Sequence, residues 1–398
     1  MINKGIVALL GGLALLVGGV WLWFYDEPLE AQAQAWLDQV AVGEPSDAYY
    51  QLLGLDAPAG IDPQVEGRKR LTADKNAAPA ATLTLPGDEL CSLGASGCLQ
   101  GWRAEPGKLQ ALLTTHAELL LRYEKLLTLR DYRSLSQPVM DEPMPSYMAL
   151  LKGNQLRSAI ALALIEEKRN TEAMALFEND IRQLRSWLTR ADNLILKMTL
   201  VRMLAQDLDG LAVLYRAGLL PRPALQKTLS VEERSLEAAM RREFASVANG
   251  LAEMVDHPEM GGKLGGNAWK LWLLFKPRMS INDSLPLYMR VAENSRLDAP
   301  SFVRRLTEPG PDPISNFRRV RNPIGNILVA VAVPDFNRYL ARLHDLDAKF
   351  ILLNRLGKEK QAGGNPYYPE REPVWNADAQ RLCFDGPLPD EHFIRCLP

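Results

Sequence analysis

The hydrophobic pattern divides the chain into one long apolar run and a body of amphipathic helices. Residues 6–24 read IVALLGGLALLVGGVWLWF, nineteen positions without a charged side chain. A helix needs about 20 mainly apolar residues to cross the hydrocarbon core of a bilayer. The pattern therefore predicts one transmembrane helix near the N-terminus.

The residues that flank this run predict its orientation. Lys4 precedes it, Asp26 and Glu27 follow it, and aromatic side chains lie at its end. Positive charge favours the cytoplasmic side, and Trp and Tyr favour the interface. We expect a single-pass membrane protein with a cytoplasmic N-terminus and a C-terminal domain on the other side of the membrane. A cleaved signal peptide is the alternative, because AQA at 31–33 fits a cleavage site, although the apolar run is longer than usual.

Glycines recur at seven-residue steps within the apolar run. Gly5, Gly12 and Gly19 form one series, and Gly11 and Gly18 form another beside it. Small residues on one strip let a second transmembrane helix approach closely. Glycine is also common in spans without a partner, so the strip predicts a packing surface but does not require an occupant.

After the span, the pattern predicts a mainly α-helical domain, as a bundle or a solenoid-like stack, with a small β-hairpin tail. Short helices are expected over 29–40 and 47–56, followed by an irregular segment over 57–101 with a strand candidate at 78–85. Apolar residues with a helical period then predict one helix over 108–129. Residues 161–181 resemble two helices joined by a tight turn.

Short sequence patterns predict further helices and the hairpin of the tail. Ser230 and Glu233 form a capping-box pattern at the start of a helix. ILVAVAV at 327–333 is β-branched, but its position between helical patterns favours a buried helix. Alternation around 376–378 predicts the hairpin. We divide the chain into 1–27 (stub and anchor), 28–104 (short helices and irregular segment), 105–260 (long helices), 261–360 (shorter helices) and 361–398 (aromatic tail).

The four cysteines lie in two close couples. Cys91 and Cys98 are in the irregular segment, and Cys383 and Cys396 are in the tail. An exported domain meets an oxidising compartment, and short loops close most readily, so we expect structural disulfides within each couple. Four cysteines allow three connectivities, and sequence does not exclude the other two. The spacings do not match a zinc site.

Composition and motifs argue against nucleic-acid binding and against a phosphate-binding loop. The formal net charge is −2 with 24% charged residues, so no overall basic field draws the chain to nucleic acid. The glycine-rich stretch 259–269 lacks the phosphate-loop pattern and predicts a hinge or close helix packing. No cofactor and no metal are expected from any motif.

One polar cluster is a candidate for catalysis. His344, Asp345 and Asp347 lie within four residues, and His344 and Asp347 could share a helix face. The alternative is a surface or capped polar pair. Aromatic residues at 267–275 and 365–369 are candidate partner contacts, whereas Trp269 and Trp272, three apart, would equally fill a core.

Several stretches together are similar to a group of proteobacterial inner-membrane-anchored envelope proteins. They are CSLGASGCL (91–99), LLLRYEKLL (119–127), NPIGNIL (322–328), RLHDLDAKFILLNRL (342–356) and NPYYPEREPVWNADAQRLCF (365–384). The resemblance implies an N-terminal span, a helical periplasmic body and an aromatic tail. No reaction is assigned to that group, so no catalytic residue carries over.

These observations favour a membrane-anchored periplasmic binding or assembly protein without enzymatic activity. Its partners would be the inner membrane and another envelope protein, for which the glycine strip of the transmembrane helix is the candidate contact. An envelope hydrolase that uses His344, Asp345 and Asp347 is the alternative. A sensor input domain is less favoured, because it would need a separate output partner.

Overall fold

Helices form most of the structure, a computed structural model that describes residues 4–73, 81–139, 141–256, 273–310, 314–332, 335–358 and 364–398. Side chains are not described at 4–9, 255–256 and 332. The mainly α fold class is therefore confirmed. Over the described residues, no helix is long and apolar enough to cross a membrane.

The N-terminal third contains short helices. The predictions over 29–40 and 47–56 are confirmed as α2 and α3, whereas the irregular segment contains an additional helix, α4. The predicted helix over 108–129 breaks into α6 and α7 at His116, which lies between them. The helices are α1 (Lys4–Phe24), α2 (Ala31–Asp38), α3 (Asp47–Leu53), α4 (Pro63–Thr72), α5 (Cys98–Ala104), α6 (Pro106–Thr115) and α7 (Ala117–Thr128).

Long helices make up the middle of the chain. The predicted tight turn joins α8 to α9, and α8, α9 and α10 pack side by side. The capping box at Ser230 and Glu233 is confirmed, but its helix ends after one turn and a separate helix follows. These helices are α8 (Tyr147–Glu166), α9 (Asn170–Arg190), α10 (Leu194–Arg216), α11 (Val231–Arg234) and α12 (Glu237–Asp256).

The last helices pack against this middle part of the chain and against α2. One of them, α17, contacts α10, and α13 contacts α12, α2 and α16. Residues 327–332 of this stretch are helical as predicted, but they are only partly buried, since Ile327 is 64% and Val331 80% exposed. Val333 lies outside the described residues. The elements are α13 (Pro277–Asn294), α14 (Ala299–Leu306), α15 (Asn316–Arg321), α16 (Pro323–Ala332) and α17 (Asn337–Asn354).

The tail forms the predicted hairpin and adds a third strand. Strand β1 (Val374–Asn376) pairs antiparallel with β2 (Arg381–Cys383), and β2 pairs antiparallel with β3 (Cys396–Leu397). The described part of the strand candidate at 78–85, residues 81–85, is neither helix nor strand, and residues 78–80 lie outside the described residues.

Both predicted disulfides are present, Cys91–Cys98 and Cys383–Cys396. The irregular segment is also held by Arg122 of α7, whose guanidinium donates to the carbonyls of Ala57 at 2.6 Å, Pro58 at 2.9 Å and Ile61 at 3.0 Å. One cluster of buried apolar side chains extends from Ala33 to Leu397.

Candidate functional site

Helix α1 presents apolar side chains that nothing in the described structure covers. From Leu10 to Phe24 it contains no charged residue. Leu15 is 80% exposed, Leu16 65% and Trp21 59%. Exposed contiguous apolar surface of this kind marks a site of contact with a membrane or another protein, because hydrating it is unfavourable.

The glycine strip of α1 is open. A Cβ added at Gly11, Gly12, Gly18 or Gly19 would meet no atom within 4 Å. Seven residues turn an α-helix by nearly two full turns, so each series keeps to one side. Gly5 lies in the part of α1 whose surroundings are outside the described residues. The strip is therefore available to a neighbouring helix, although no occupant is shown.

The end of α1 is fixed to the body by the residues that follow it. The Asp26 carboxylate accepts hydrogen bonds from the backbone N–H groups of Arg278 at 2.9 Å and Met279 at 3.2 Å. These amides belong to the first turn of α13, where N–H groups have no intrahelical partner. Asp26 thus caps α13 and positions the chain as it leaves α1.

A second set of contacts ties the same segment to α15. Glu27 accepts from both terminal nitrogens of Arg318, at 2.5 and 2.9 Å, and Arg318 also donates to Asp283. The Arg321 guanidinium donates to the Tyr25 carbonyl. Bidentate arginine–carboxylate pairs have defined geometry. The direction in which α1 leaves the body is therefore set by α13 and α15.

The structure does not bring His344, Asp345 and Asp347 into one pocket. All three lie buried on α17. The His344 ring stacks on Phe302 with centroids 5.1 Å apart, and burial lowers its pKa to about 3. A neutral, stacked imidazole fills space, so its surroundings give no sign of a catalytic role.

The two carboxylates have separate partners. Asp345 accepts from the Tyr367 hydroxyl at 2.8 Å and lies 3.3 Å from Nη1 of Arg395, both in the C-terminal tail. Asp347 accepts from the Leu229 amide at 2.5 Å and from Arg234 at 3.1 Å. They connect α17 to two different segments. This geometry does not favour the hydrolase hypothesis.

The pKa of Asp345 predicts a pH-dependent stability. Burial raises it to about 7, so the folded state favours the protonated acid. The protonated acid therefore adds to the free energy of unfolding, and this stabilisation is complete at a pH below the ordinary pKa near 3.8. It is lost as the pH rises through about 7, a change on the order of a few kcal/mol. Asp345→Asn imitates the protonated acid. The urea midpoint of the variant should therefore rise relative to wild type between pH 5 and pH 8.

The comparison at each pH cancels the contributions of other groups. Burial also raises the pKa of Asp347, to about 6, but that residue is present in both proteins. A difference between wild type and Asp345→Asn that stays constant from pH 5 to pH 8 would contradict the prediction.

A cavity of about 560 Å³ lies beside the first disulfide, between α5 and α6. Trp102, Leu109 and Leu112 line it together with both cysteines, and His116 and Glu89 lie at its edge. A mainly apolar lining with a few polar groups is usual for a binding groove. The helical pattern over 108–129 indicated the apolar face that lines this cavity, but it did not indicate the break in the helix at His116.

A smaller and more polar cavity of about 160 Å³ is lined in part by Pro138, Val139 and residues 142–145. Three tyrosines, Tyr49, Tyr132 and Tyr147, line it. The Glu142 carboxylate accepts from Tyr49 at 3.0 Å and from Arg242 at 2.8 Å. These residues come from distant parts of the chain, so no local sequence signal could have identified them.

Glu243 adds a further acidic group to the wall of this polar cavity. Burial is the largest influence on this carboxyl, and it raises the pKa although the neighbouring Arg242 guanidinium lowers it. The pKa of the Glu243 carboxyl in this cavity therefore lies above its ordinary value.

The aromatic contacts predicted in the tail require correction. Tyr367 is 2% exposed, and its hydroxyl is used by Asp345 and the Ala341 carbonyl, so it belongs to the core. Tyr368 is partly buried and lies under the Arg371 guanidinium. Trp269 and Trp272, with most of the 267–275 stretch, lie outside the described residues, as does the glycine-rich stretch 259–269.

Among the described residues, no group of three or more His, Cys, Asp or Glu side chains could hold a metal ion. Searches of protein-family models, curated proteins and solved structures found no match to this chain.

Proposed function

We propose that this protein is a single-pass, inner-membrane-anchored binding or assembly protein of the cell envelope, with its helical body on the periplasmic side. The observation that carries the proposal is α1, which has no charged residue from Ile6 to Phe24. Its described side chains, from Leu10 onward, are mostly exposed, and a Cβ at Gly11, Gly12, Gly18 or Gly19 would meet nothing within 4 Å. These 15 described positions are fewer than a span needs, so the anchor is inferred from the whole uncharged run of nineteen residues. A lipid bilayer is the environment in which such a surface is stable.

Two further features support the proposal. Both disulfides suit an oxidising compartment, where a periplasmic body would fold. The contacts of Asp26 and Glu27 hold the base of α1 in a defined direction, which a cleaved signal peptide would not need. We infer a retained anchor, and a binding role in which the glycine strip receives a partner's transmembrane helix.

The orientation of α1 allows a direct test of the strip. Gly12 lies on it, whereas Val17 lies near the opposite side of the helix. Single cysteines at these positions in the full-length chain would be oxidised in intact membranes. We expect Gly12→Cys to form one disulfide-linked product, with a partner or a second copy, and Val17→Cys to form none. Adding Gly19→Leu to Gly12→Cys should strongly reduce the product.

Extraction of the same membranes with alkaline carbonate tests the anchor itself. An inserted α1 keeps the chain in the pellet with its full mass. Release of the protein at full mass, or a mass that begins after residue 33, would contradict the retained anchor. Equal crosslinking at residues 12 and 17 would contradict the strip as a packing surface while leaving the anchor intact.

A further inference from the structure

We propose that α15 and α16 form a second membrane contact, a face that rests on the lipid surface beside the base of α1. This inference rests on the proposed anchor and specifies which face of the helical body contacts the membrane. The resting face comprises Phe317 and Val320 of α15 and Ile327 and Val331 of α16. Their exposed fractions are 63%, 63%, 64% and 80%.

Helix α16 has one side packed and one side free. Val329 is buried, and a Cβ at Gly325 would overlap the Asn322 side chain and the Ser280 hydroxyl of α13. Ile327 and Val331 lie one turn apart on the exposed side. The helix contains no charged residue, PIGNILVAVA. A surface helix facing water normally carries charges on its exposed side, so this pattern indicates contact with an apolar medium.

The resting face begins where α1 ends. Arg321 of α15 donates to the carbonyl of Tyr25, the residue directly after α1, and Arg318 binds Glu27. Val320 lies between these two arginines in the chain. If Trp21 and Tyr25 lie at the bilayer interface, as aromatic residues at helix ends do, α15 lies at the level of the lipid headgroups.

The charges around the face suit phospholipids. Three nearby acids, Asp26, Glu27 and Asp283, are occupied by the amides of α13 and by Arg318, whereas Glu30 is exposed. Arg278 and Arg319 are exposed, and neither has an acidic partner among the described residues. Guanidinium groups bind phosphate well, and basic residues near an anionic membrane surface favour association with it.

Continuity with α1 favours lipid over a protein occupant. A partner protein could cover α16 alone, but it would also have to fit between α15 and the bilayer from which α1 emerges. The apolar stripe with a basic border is the composition of interfacial helices that lie in the headgroup region.

Depth-dependent fluorescence quenching tests the resting face in the full-length chain. The four native cysteines are all paired, so a single added cysteine can carry an environment-sensitive dye. The dye would be placed at Val331, at Leu15 within α1, and at Leu121 as the control. Leu121 is 64% exposed on α7, which packs against α3, α8 and α9.

Each labelled protein would be reconstituted in vesicles of phosphatidylethanolamine and phosphatidylglycerol that contain shallow or deep spin-labelled lipid. We expect shallow lipid to quench the dye at 331, deep lipid to quench it at 15, and neither to quench it at 121. Ile327→Ser should reduce the quenching at 331 without changing that at 15.

The outcomes separate this inference from the proposed function. Quenching at 15 with none at 331 overturns the resting face and leaves the anchor. No quenching at 15 overturns the anchor and the inference together. A blue-shifted dye at 331 that lipid does not quench would show a protein occupant, and would overturn the lipid contact.

Discussion

Replacing Asp209 by Asn is expected to lower the free energy of unfolding by about 3–5 kcal/mol, the usual cost of removing one partner from a buried ion pair. The Asp209 carboxylate on α10 binds two cations. One oxygen accepts from Nζ of Lys349 on α17, and the other lies 3.0 Å from Nη1 of Arg381 on β2. The lysine is 1% and the arginine 13% exposed, so both cations would remain buried without their anion.

The same contact joins the two disulfide-closed segments. Nη2 of Arg381 donates to the Gly94 carbonyl at 2.6 Å, and Gly94 lies between Cys91 and Cys98. A Cβ at Gly94 would lie 2.6 Å from the Cβ of Asp209. Asp209 is therefore where α10, α17, the tail sheet and the first disulfide loop meet. We expect Asp209→Asn also to increase protease cleavage in the tail.

Urea unfolding of the full-length chain in mild detergent, followed by circular dichroism, measures the effect. Glu172→Gln is the control, because it removes an exposed contact with Arg169 and should not change stability measurably. Asp209→Asn combined with Lys349→Met should be less destabilised than Asp209→Asn alone, since one uncompensated cation is gone. If Asp209→Asn is no less stable than Glu172→Gln, the contacts of Asp209 with its two cations do not stabilise the fold, and the prediction is wrong.

Local signals in the sequence were sufficient for much of the fold. The pattern over 161–181 identified the end of α8, the start of α9 and the tight turn between them, because these signals lie close together in the sequence. The Ser230 and Glu233 pattern identified a helix start, because both halves of a capping box lie within four residues. Short spacing was enough to pair the cysteines.

Interactions between distant segments could not be predicted in this way. One such interaction joins three residues from separate parts of the chain, Asp209, Lys349 and Arg381. The local sequence around each of them predicts only a charged side chain on the surface. The reverse holds for His344 and Asp345, whose closeness in sequence suggested chemistry. In the structure the His344 ring stacks on Phe302, whereas Asp345 accepts a hydrogen bond from the Tyr367 hydroxyl. The exposed side of α16 was also missed, because an apolar helix in sequence is indistinguishable from a buried one.

Helix α4 was missed for a different reason. Its sequence, PQVEGRKRLT, has few apolar residues, so hydrophobic period gives no signal. The available signal was at its start, where Asp62 accepts from the amides of Gln64 and Val65, and Pro63 occupies the first turn. What holds α4 in place is close backbone contact with α3.

That contact predicts that Gly67→Ala will destabilise the protein by at least about 1–3 kcal/mol, the usual cost of overpacking. A Cβ at Gly67 in α4 would overlap the Tyr50 carbonyl oxygen and lie 2.9 Å from the carbonyl carbon. A Cβ at Gly54, at the end of α3, would in turn overlap the Pro63 carbonyl. Backbone atoms cannot rotate away as a side chain can, so α3 and α4 would have to separate.

Gly101→Ala supplies the matched control, because Gly101 also lies within a helix, α5, and its Cβ would meet nothing within 4 Å. Alanine there should stabilise the protein by about 0.5–1 kcal/mol through helix propensity alone. The two substitutions are chemically identical and should shift the urea midpoint in opposite directions. Since propensity favours alanine at both sites, only the contact between α3 and α4 can reverse the sign at Gly67. Stabilisation by both variants would mean that the two helices are not in backbone contact.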